Sequence, residues 1–377
     1  MTTGMLAAVW SLVDTALAAY RGDPRATAFL EACRAALSGP LRVAAVGAAG
    51  SGRSTLLDAI VGEPFTARAS RLVVDWPGAV ELIDGDGDHD AALVLLPRPA
   101  APFPDALDPV ASIAVLSRAD ELGGGRVDAM VSARQLARRH ARGELGALCQ
   151  DVVAVSGLTA LASATMTAEE DATLRALAGL PRAELEPALL SVDRFTGSAL
   201  PVPAAERVAL VERLGLFGVR LALSAARRSA DPRAELSRAS GVGEIRTAVA
   251  ECFADRADTL RARSALTAVD SLVRADPRPG MAAEVERVTA GAHELRELRL
   301  LASLRSGRVS LDDLGDDAVT EARYLLGAAG PNRLACTDDP YTALLRWRAR
   351  ALDTTLPDAQ RRAAGIIART CAALATR

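Results

Sequence analysis

The sequence predicts an α/β domain with a mainly parallel sheet, followed by a long region built only of helices. Between residues 41 and 160, short apolar segments alternate with loops and helical patterns, which is typical of a parallel sheet covered by helices. After about residue 160 the strand patterns end, and helical periodicity continues toward the C-terminus. Aromatic residues make up only 3 %, and the abundant alanine and leucine favour helices packed through small aliphatic side chains.

Composition limits the classes of function. Half of the 377 residues are apolar, enough for a sizeable core, and the net charge of −3 gives no general attraction to nucleic acid. The five cysteines are scattered and form no C-x-x-C pair, which favours a reducing compartment. We see no signal peptide and no apolar run long enough to span a membrane, so a cytoplasmic location is expected.

The predicted elements follow one another in three regions. Residues 1–40 hold two helical pieces, interrupted at Gly22, Asp23 and Pro24, which we expect to pack on the later helices. Residues 41–160 form the α/β domain, with helices predicted over 53–61 and 126–143. Its strands are predicted at 41–47, 71–76, 79–84, 91–97, 113–117 and 151–156.

Residues 161–377 form the helical region. Its clearest pattern runs over residues 242–275 and predicts one helix of roughly 50 Å. A helix of that length is too long for a small globule and indicates an extended stalk or bundle. Further helices are predicted at 281–306, 311–328, 340–352 and 357–375.

A glycine-rich segment joins the first predicted strand to the helix after it. Residues 47–55, GAAGSGRST, follow the phosphate-binding P-loop pattern except that Arg53 replaces the lysine. In a P-loop, backbone N–H groups surround the phosphates, and Ser54 would supply a hydroxyl to Mg²⁺. The matching residues are Gly47, Gly50, Gly52, Ser54 and Thr55. The alternative is a plain glycine-rich turn between strand and helix.

The presence of arginine instead of lysine at position 53 has a simple genetic explanation. The chain contains no lysine, and all 44 of its basic residues are arginine. A coding bias toward arginine therefore accounts for the residue without any functional reason. A lysine needed for catalysis should nevertheless have resisted such a drift.

An acidic segment, DGDGDHD, follows the third predicted strand at residues 84–90. Asp84 and Gly87 fit the D-x-x-G pattern of GTPases, in which the aspartate contacts Mg²⁺ through water and the glycine N–H meets the γ-phosphate. Asp84 and Ser54 are thus the candidate magnesium residues. A calcium loop is disfavoured because His89 and Leu95 stand where glycine and glutamate are needed. A solvated acidic turn remains the other interpretation.

Two later strand ends carry a pattern suited to guanine. SRAD at residues 117–120 stands where GTPases have N/T-K-x-D. The Asp120 carboxylate would accept two hydrogen bonds from guanine, and the Arg118 stem would cover the base. Ser156 and Gly157 follow the last strand, where a backbone N–H usually contacts guanine O6.

Longer segments resemble the bacterial dynamin-like GTPases and, among them, the isoniazid-inducible type of mycobacteria. They are LSRADELGGGRVDAM (116–130), VVAVSGLTALA (152–162), ALLSVDRF (188–195) and ERLGLFGVRLALS (212–224). The resemblance implies a shortened P-loop GTPase-like domain on a helical stalk, GTP or GDP with Mg²⁺ as ligands, and action at membranes, often in pairs of different subunits. It also implies that the motif residues named above contact the nucleotide.

The sequence departs from that family at residues that GTP hydrolysis needs. Arg53 replaces the lysine, and only 37 positions separate Gly47 from Asp84, which leaves little room for the switch threonine. Thr66 is the only threonine between the P-loop helix and Asp84, and it lies very close to that helix. The three aspartates that follow, Asp86, Asp88 and Asp90, would add negative charge near the γ-phosphate.

Three functions stay open at this stage. The first is a degenerate GTP-binding protein that partners an active dynamin-like subunit in maintaining the cell envelope, peripheral at the inner face of the membrane. The second is a competent GTPase that uses Arg53 as its catalytic candidate, and the third is a helical scaffold without nucleotide. Nucleic acid is not expected as a partner, and an oligomer is compatible with each.

Several other features have both a structural and a functional interpretation. The arginine-rich segment 133–144 is either a solvated helix face or a contact for anionic lipid. The apolar segments 157–166 and 214–223 are either core or a membrane-dipping tip. Trp347 is either packed inside the helical region or an interfacial anchor.

Overall fold

A computed structural model describes most of the chain. The described residues are 4–75, 78–85, 87–98, 101–104, 107–123, 125–328, 333–337 and 339–375. Within them, the structure contains one six-stranded sheet surrounded by many helices, which confirms an α/β domain with a large helical part.

Each of the six predicted strands is present. They are β1 (Leu41–Val46), β2 (Arg71–Asp75), β3 (Ala79–Asp84), β4 (Ala91–Leu96), β5 (Ser112–Leu116) and β6 (Val152–Ala154). They lie in the order β2-β3-β1-β4-β5-β6, and only the edge pair β2–β3 is antiparallel. The prediction of a mainly parallel sheet is therefore confirmed.

Eighteen α-helices lie in the described part of the chain. They are α1 (Met5–Ala19), α2 (Pro24–Ser38), α3 (Arg53–Val61), α4 (Ala129–Arg142), α5 (Leu145–Leu148), α6 (Gly157–Thr165), α7 (Ala168–Ala178), α8 (Arg182–Ala188), α9 (Val192–Gly197), α10 (Ala204–Arg227), α11 (Pro232–Ser240), α12 (Val242–Cys252), α13 (Ala257–Ala275), α14 (Met281–Gly291), α15 (His293–Arg305), α16 (Asp316–Leu325), α17 (Pro340–Leu352) and α18 (Asp358–Ala375). Asp23 caps α2 by accepting from Arg25 and Ala26 N–H, which explains the break after α1.

Alternate residues of the central strands point to opposite faces of the sheet, as the strand period of two requires. On one face, Val94 and Leu116 belong to a buried cluster completed by α4, α6, α7 and α10. On the other, Leu93 and Val115 pack with α3 and α12. Helices that follow residue 160 thus supply much of the cover of the sheet.

The remaining helices form two further buried clusters. The N-terminal helices α1 and α2 pack against α13 and α14 around Leu12, Leu30 and Val269. The C-terminal helices α16, α17 and α18 pack around Trp347, which is fully buried and donates from Nε1 to Glu321 at 2.9 Å. Trp347 is therefore a core residue and not an interfacial anchor.

The single helix predicted over residues 242–275 is wrong. The chain ends α12 at Cys252, makes a short 3-10 turn at Ala254–Arg256, and starts α13 at Ala257. Phe253, with φ −116° and ψ −60°, is fully buried against the sheet cluster. Packing of this aromatic ring on the sheet turns the helix, a tertiary effect that helical periodicity does not contain. The longer piece, α13, has 19 residues, or roughly 28 Å.

The apolar segments 157–166 and 214–223 contribute several side chains to the core, although Leu158 is exposed. Met166, Leu214 and Phe217 are buried in the cluster beneath α4, which removes the membrane-tip interpretation for those side chains. Among the described residues, no helix is both long and apolar enough to cross a bilayer. All five cysteines are unpaired, and burial raises the pKa of Cys149 and Cys252 to about 12, so both thiols stay protonated.

Candidate nucleotide-binding site

The carboxyl ends of the parallel strands share one edge of the sheet, and the predicted motifs lie there. β1 is central, because the chain builds β3 on one of its sides and β4 on the other. In open α/β sheets, ligands bind outside the carboxyl ends of the strands at such a reversal. The loops that follow β1, β5 and β6 form the walls of a pocket at this edge.

The loop after β1 has the tight backbone that its glycines permit. Gly50 and Gly52 have φ of +75° and +94°, a region that favours glycine. A Cβ at Gly47 would lie 2.8 Å from Ser51 Oγ and 3.1 Å from the Leu95 carbonyl oxygen. Gly52 caps α3 without a side-chain hydrogen bond, so the positive end of that helix opens toward the loop.

Arg53 folds back on this loop. Its Nη1 donates to the Gly47 carbonyl oxygen at 3.2 Å, and its Nε lies 3.8 Å from Asp84 Oδ1. The Ser54 hydroxyl donates to the other Asp84 oxygen at 2.5 Å. The fold thus brings Arg53, Ser54 and Asp84 together.

The loop after β5 crosses to the glycine loop through Arg118. This residue has φ of +53°, unusual for a side chain of its size, and its Nη2 donates to the Gly50 carbonyl oxygen at 3.0 Å. Sparsely populated backbone conformations of this kind collect at ligand sites. This hydrogen bond holds the loop after β5, which carries Asp120, against the glycine-rich loop after β1.

The loop after β6 departs in one respect from the prediction. The Ser156 N–H donates to the Ser240 carbonyl oxygen at 2.8 Å, and its hydroxyl donates to Thr159, so Ser156 cannot make the predicted contact with guanine O6. Gly157 is the first residue of α6 and lines the pocket beside Leu158. A Cβ at Gly157 would lie 3.2 Å from Thr55 Cγ2, so a larger residue there would push the two segments slightly apart.

Together the three loops enclose a pocket of about 210 Å³. Its lining residues are Ser51, Gly52, Thr55, Leu56, Ser117, Arg118, Asp120, Glu121, Val155, Gly157 and Leu158. Ser51 and Ser117 are 2 % and 6 % exposed, and their hydroxyl oxygens have no hydrogen-bond partner among the described residues. A buried hydroxyl without a partner is costly, so these two groups call for an ordered water or a polar ligand.

Several predicted residues lie outside the pocket lining. They are Gly47, Gly50, Arg53, Ser54, Asp84 and Ser156. The Gly87 N–H donates to the Gly85 carbonyl oxygen, so the predicted contact with a γ-phosphate is not available in this conformation. Asp90 pairs with Arg42 at 2.7 Å on the opposite edge of the sheet, about 16 Å from Gly47 along β1, so its charge does not oppose a phosphate there. Asp86 lies outside the described residues.

Thr66 is also held away from the pocket. Its N–H and its hydroxyl both donate to the Asp58 carboxylate, each at 2.9 Å. As the sequence indicated, this threonine is not placed to act as a switch residue.

The connection from β3 to β4 is unusually short. It has six residues, 85–90, although parallel strands normally need a dozen or more residues and most often a helix. Because β1 lies between the two strands, this link must cross β1. The described part of the link contains no helix.

The sequence did not reveal how helices beyond residue 160 brace the pocket. The Thr159 hydroxyl donates to the Leu214 carbonyl oxygen at 3.5 Å, where α10 is kinked at Gly215. A Cβ on Gly215 would lie 3.8 Å from Asp120 Oδ2. A glycine inside a helical pattern was the available signal, since such a residue often marks a close approach.

Comparison with known proteins gives one group of relatives. The chain is 30 % identical to the isoniazid-induced protein IniC of Mycobacterium tuberculosis, in strain CDC 1551 / Oshkosh and in strain H37Rv. Each alignment covers 91 % of this chain and 92 % of the relative. It extends over 461 positions, more than the 377 residues present here, so the relatives contain segments that this chain lacks. No family model matches the chain.

The crowding at Gly47 predicts a stability effect. We expect Gly47→Ala to lower the free energy of unfolding by about 1–3 kcal/mol, because the new methyl group overlaps Ser51 and the β4 backbone. Gly243→Ala is the matched control: it lies inside α12 with open space around it and should raise stability by roughly 0.5–1 kcal/mol. Urea unfolding measures both, and equal effects of the two variants would contradict the packing described for the loop.

Proposed function

The chain belongs to the family of the isoniazid-induced protein IniC, and from this premise we propose that it is a dynamin-like protein that binds guanine nucleotide and hydrolyses it weakly or not at all. The proposal rests on the pocket at the carboxyl edge of the sheet, whose lining includes two serines with buried hydroxyls that lack a partner among the described residues. Its walls combine a glycine-rich loop at a helix N-terminus with an aspartate after β5.

The chemistry of the walls supports guanine as the base. A carboxylate such as Asp120 accepts from two neighbouring N–H donors, which guanine has on N1 and its exocyclic amine and adenine lacks. The apolar atoms of Leu56, Val155 and Leu158 supply a surface for a flat ring. Arg118, bonded to Gly50, links the base side to the phosphate side.

Weak hydrolysis follows from what stands near the phosphate loop. Hydrolysis needs a positioned water and donors aimed at the γ-phosphoryl group. Thr66 is bound to Asp58, and the six-residue link after β3 leaves little room for a segment that could carry a water-orienting group. A competent GTPase would have to rely on Arg53, which does reach the loop at Gly47.

Isothermal titration of the full chain with GDP and ADP tests nucleotide binding. We expect heat with GDP and little with ADP, and a loss of roughly 10- to 100-fold in GDP affinity for Asp120→Ala, since a charged bidentate contact is removed. Asp128→Ala is the control, because its carboxylate is exposed and pairs with Arg126, away from the pocket lining. A separate assay with GTP measures hydrolysis. We expect phosphate release from GTP no faster than roughly 10⁻³ per second, the scale of an unassisted GTPase.

Two outcomes would overturn this proposal. Release well above that rate, abolished by Asp120→Ala, would make the protein a competent GTPase. Absence of heat with GDP would leave a helical scaffold whose α/β domain is purely structural.

We further propose that the protein works beside an active dynamin-like subunit at the inner face of the cell membrane. Support comes from family membership and from the hydrolytic elements that this chain lacks, since a second subunit would have to supply turnover. A neighbouring gene should then encode a dynamin-like chain that keeps the P-loop lysine. Gene neighbourhoods that consistently lack such a chain would count against this pairing.

A further inference from the structure

We propose that the pocket binds a guanine nucleoside diphosphate without magnesium, because Arg53 supplies the positive charge that the metal would bring. The inference rests on the proposed nucleotide binding and adds the metal dependence of that site. It starts from the residues around Asp84, where a magnesium ion is expected in this kind of site.

Ser54 and Asp84 are the residues that would hold magnesium, but they are engaged with each other and with Arg53. Mg²⁺ demands six oxygen ligands in near-ideal geometry and is usually held by one or two carboxylates together with substrate phosphates. Near Ser54 the fold places one carboxylate, Asp84, and both of its oxygens are engaged: one accepts from Ser54 and the other faces Arg53.

Arg53 can perform the electrostatic part of the metal's task. A guanidinium always carries its charge and has five N–H donors in a rigid fork, which suits phosphate oxygens. Arg53 uses one donor on the Gly47 carbonyl oxygen and turns another toward Asp84. The remaining donors, on a side chain that is 30 % exposed, can meet an incoming phosphate.

A second guanidinium stands at the other end of the same loop. Arg118 donates to the Gly50 carbonyl oxygen at 3.0 Å. Both guanidinium groups are fixed to the loop by these hydrogen bonds, and each also faces a carboxylate: Asp84 lies 3.8 Å from Arg53, and Glu121 lies 3.6 Å from Arg118. The N-terminus of α3 adds a partial positive charge. Asp90 does not cancel this charge, because it is paired with Arg42 at the opposite edge of the sheet.

The test is titration of the full chain with GDP in EDTA and in millimolar MgCl₂. We expect the two affinities to agree within about threefold, since the fixed guanidinium groups already place donors and positive charge beside the diphosphate. In Arg53→Lys, the compact ammonium loses the fork that engages loop and carboxylate together, so magnesium should tighten binding by about tenfold or more. Arg138→Ala, an exposed arginine of α4, is the control and should behave as the native chain does.

The Asp84→Asn variant provides an independent test in the same GDP titration. Circular dichroism verifies that each variant is folded. Removing the carboxylate should leave GDP binding in EDTA unchanged or tighter, because a negative charge near the phosphates is lost. A marked weakening would contradict the inference.

The outcomes separate this inference from the proposed function. GDP binding that requires magnesium would overturn the inference and leave nucleotide binding intact. The same indifference to magnesium in Arg53→Lys as in the native chain would overturn the role given to Arg53. Absence of GDP binding in both buffers would remove the proposed function itself.

Discussion

The sheet order places β1 between β3 and β4, and the candidate site depends on this arrangement. Three loops from distant parts of the chain meet because their strands end at the same edge. The hydrogen bond from Arg118 to Gly50 then joins two of these loops directly. The third is fixed from outside, since Ser156 donates its N–H to Ser240 at the end of α11. The pocket is therefore a property of the whole fold and not of one motif.

Arginine has a second, structural use in this lysine-free chain. Carbonyl oxygens at the C-terminal ends of helices lack helical partners, and arginine side chains from other elements bind them. Arg246 donates to Ile60 at the end of α3, Arg213 to Thr165 at the end of α6, and Arg227 to Leu180 just beyond α7. Arg246 stabilises the very helix whose other end opens toward the phosphate loop, so α12 supports the site from behind.

Local patterns in the sequence were sufficient to locate the strands, the first four helices, the last three and the order of the loops, since each depends on residues close together in the chain. The pocket walls followed from the rule that parallel strands end at one edge. Long-range pairings were not predictable: Asp90 is neutralised by Arg42, 48 positions away, and Ser156 is engaged by Ser240. The break at Phe253 was missed for the same reason, because the sheet face that receives its ring is assembled from other segments.

Hydrogen exchange of the full chain with and without GDP tests the central claim most directly, because it locates the ligand. If the pocket holds a guanine nucleotide, amides in residues 47–55, 117–121 and 156–159 should exchange more slowly when GDP is present, while the helices α16, α17 and α18 remain unchanged. Protection that is absent from these three loops, or that appears only among the C-terminal helices, would contradict the account.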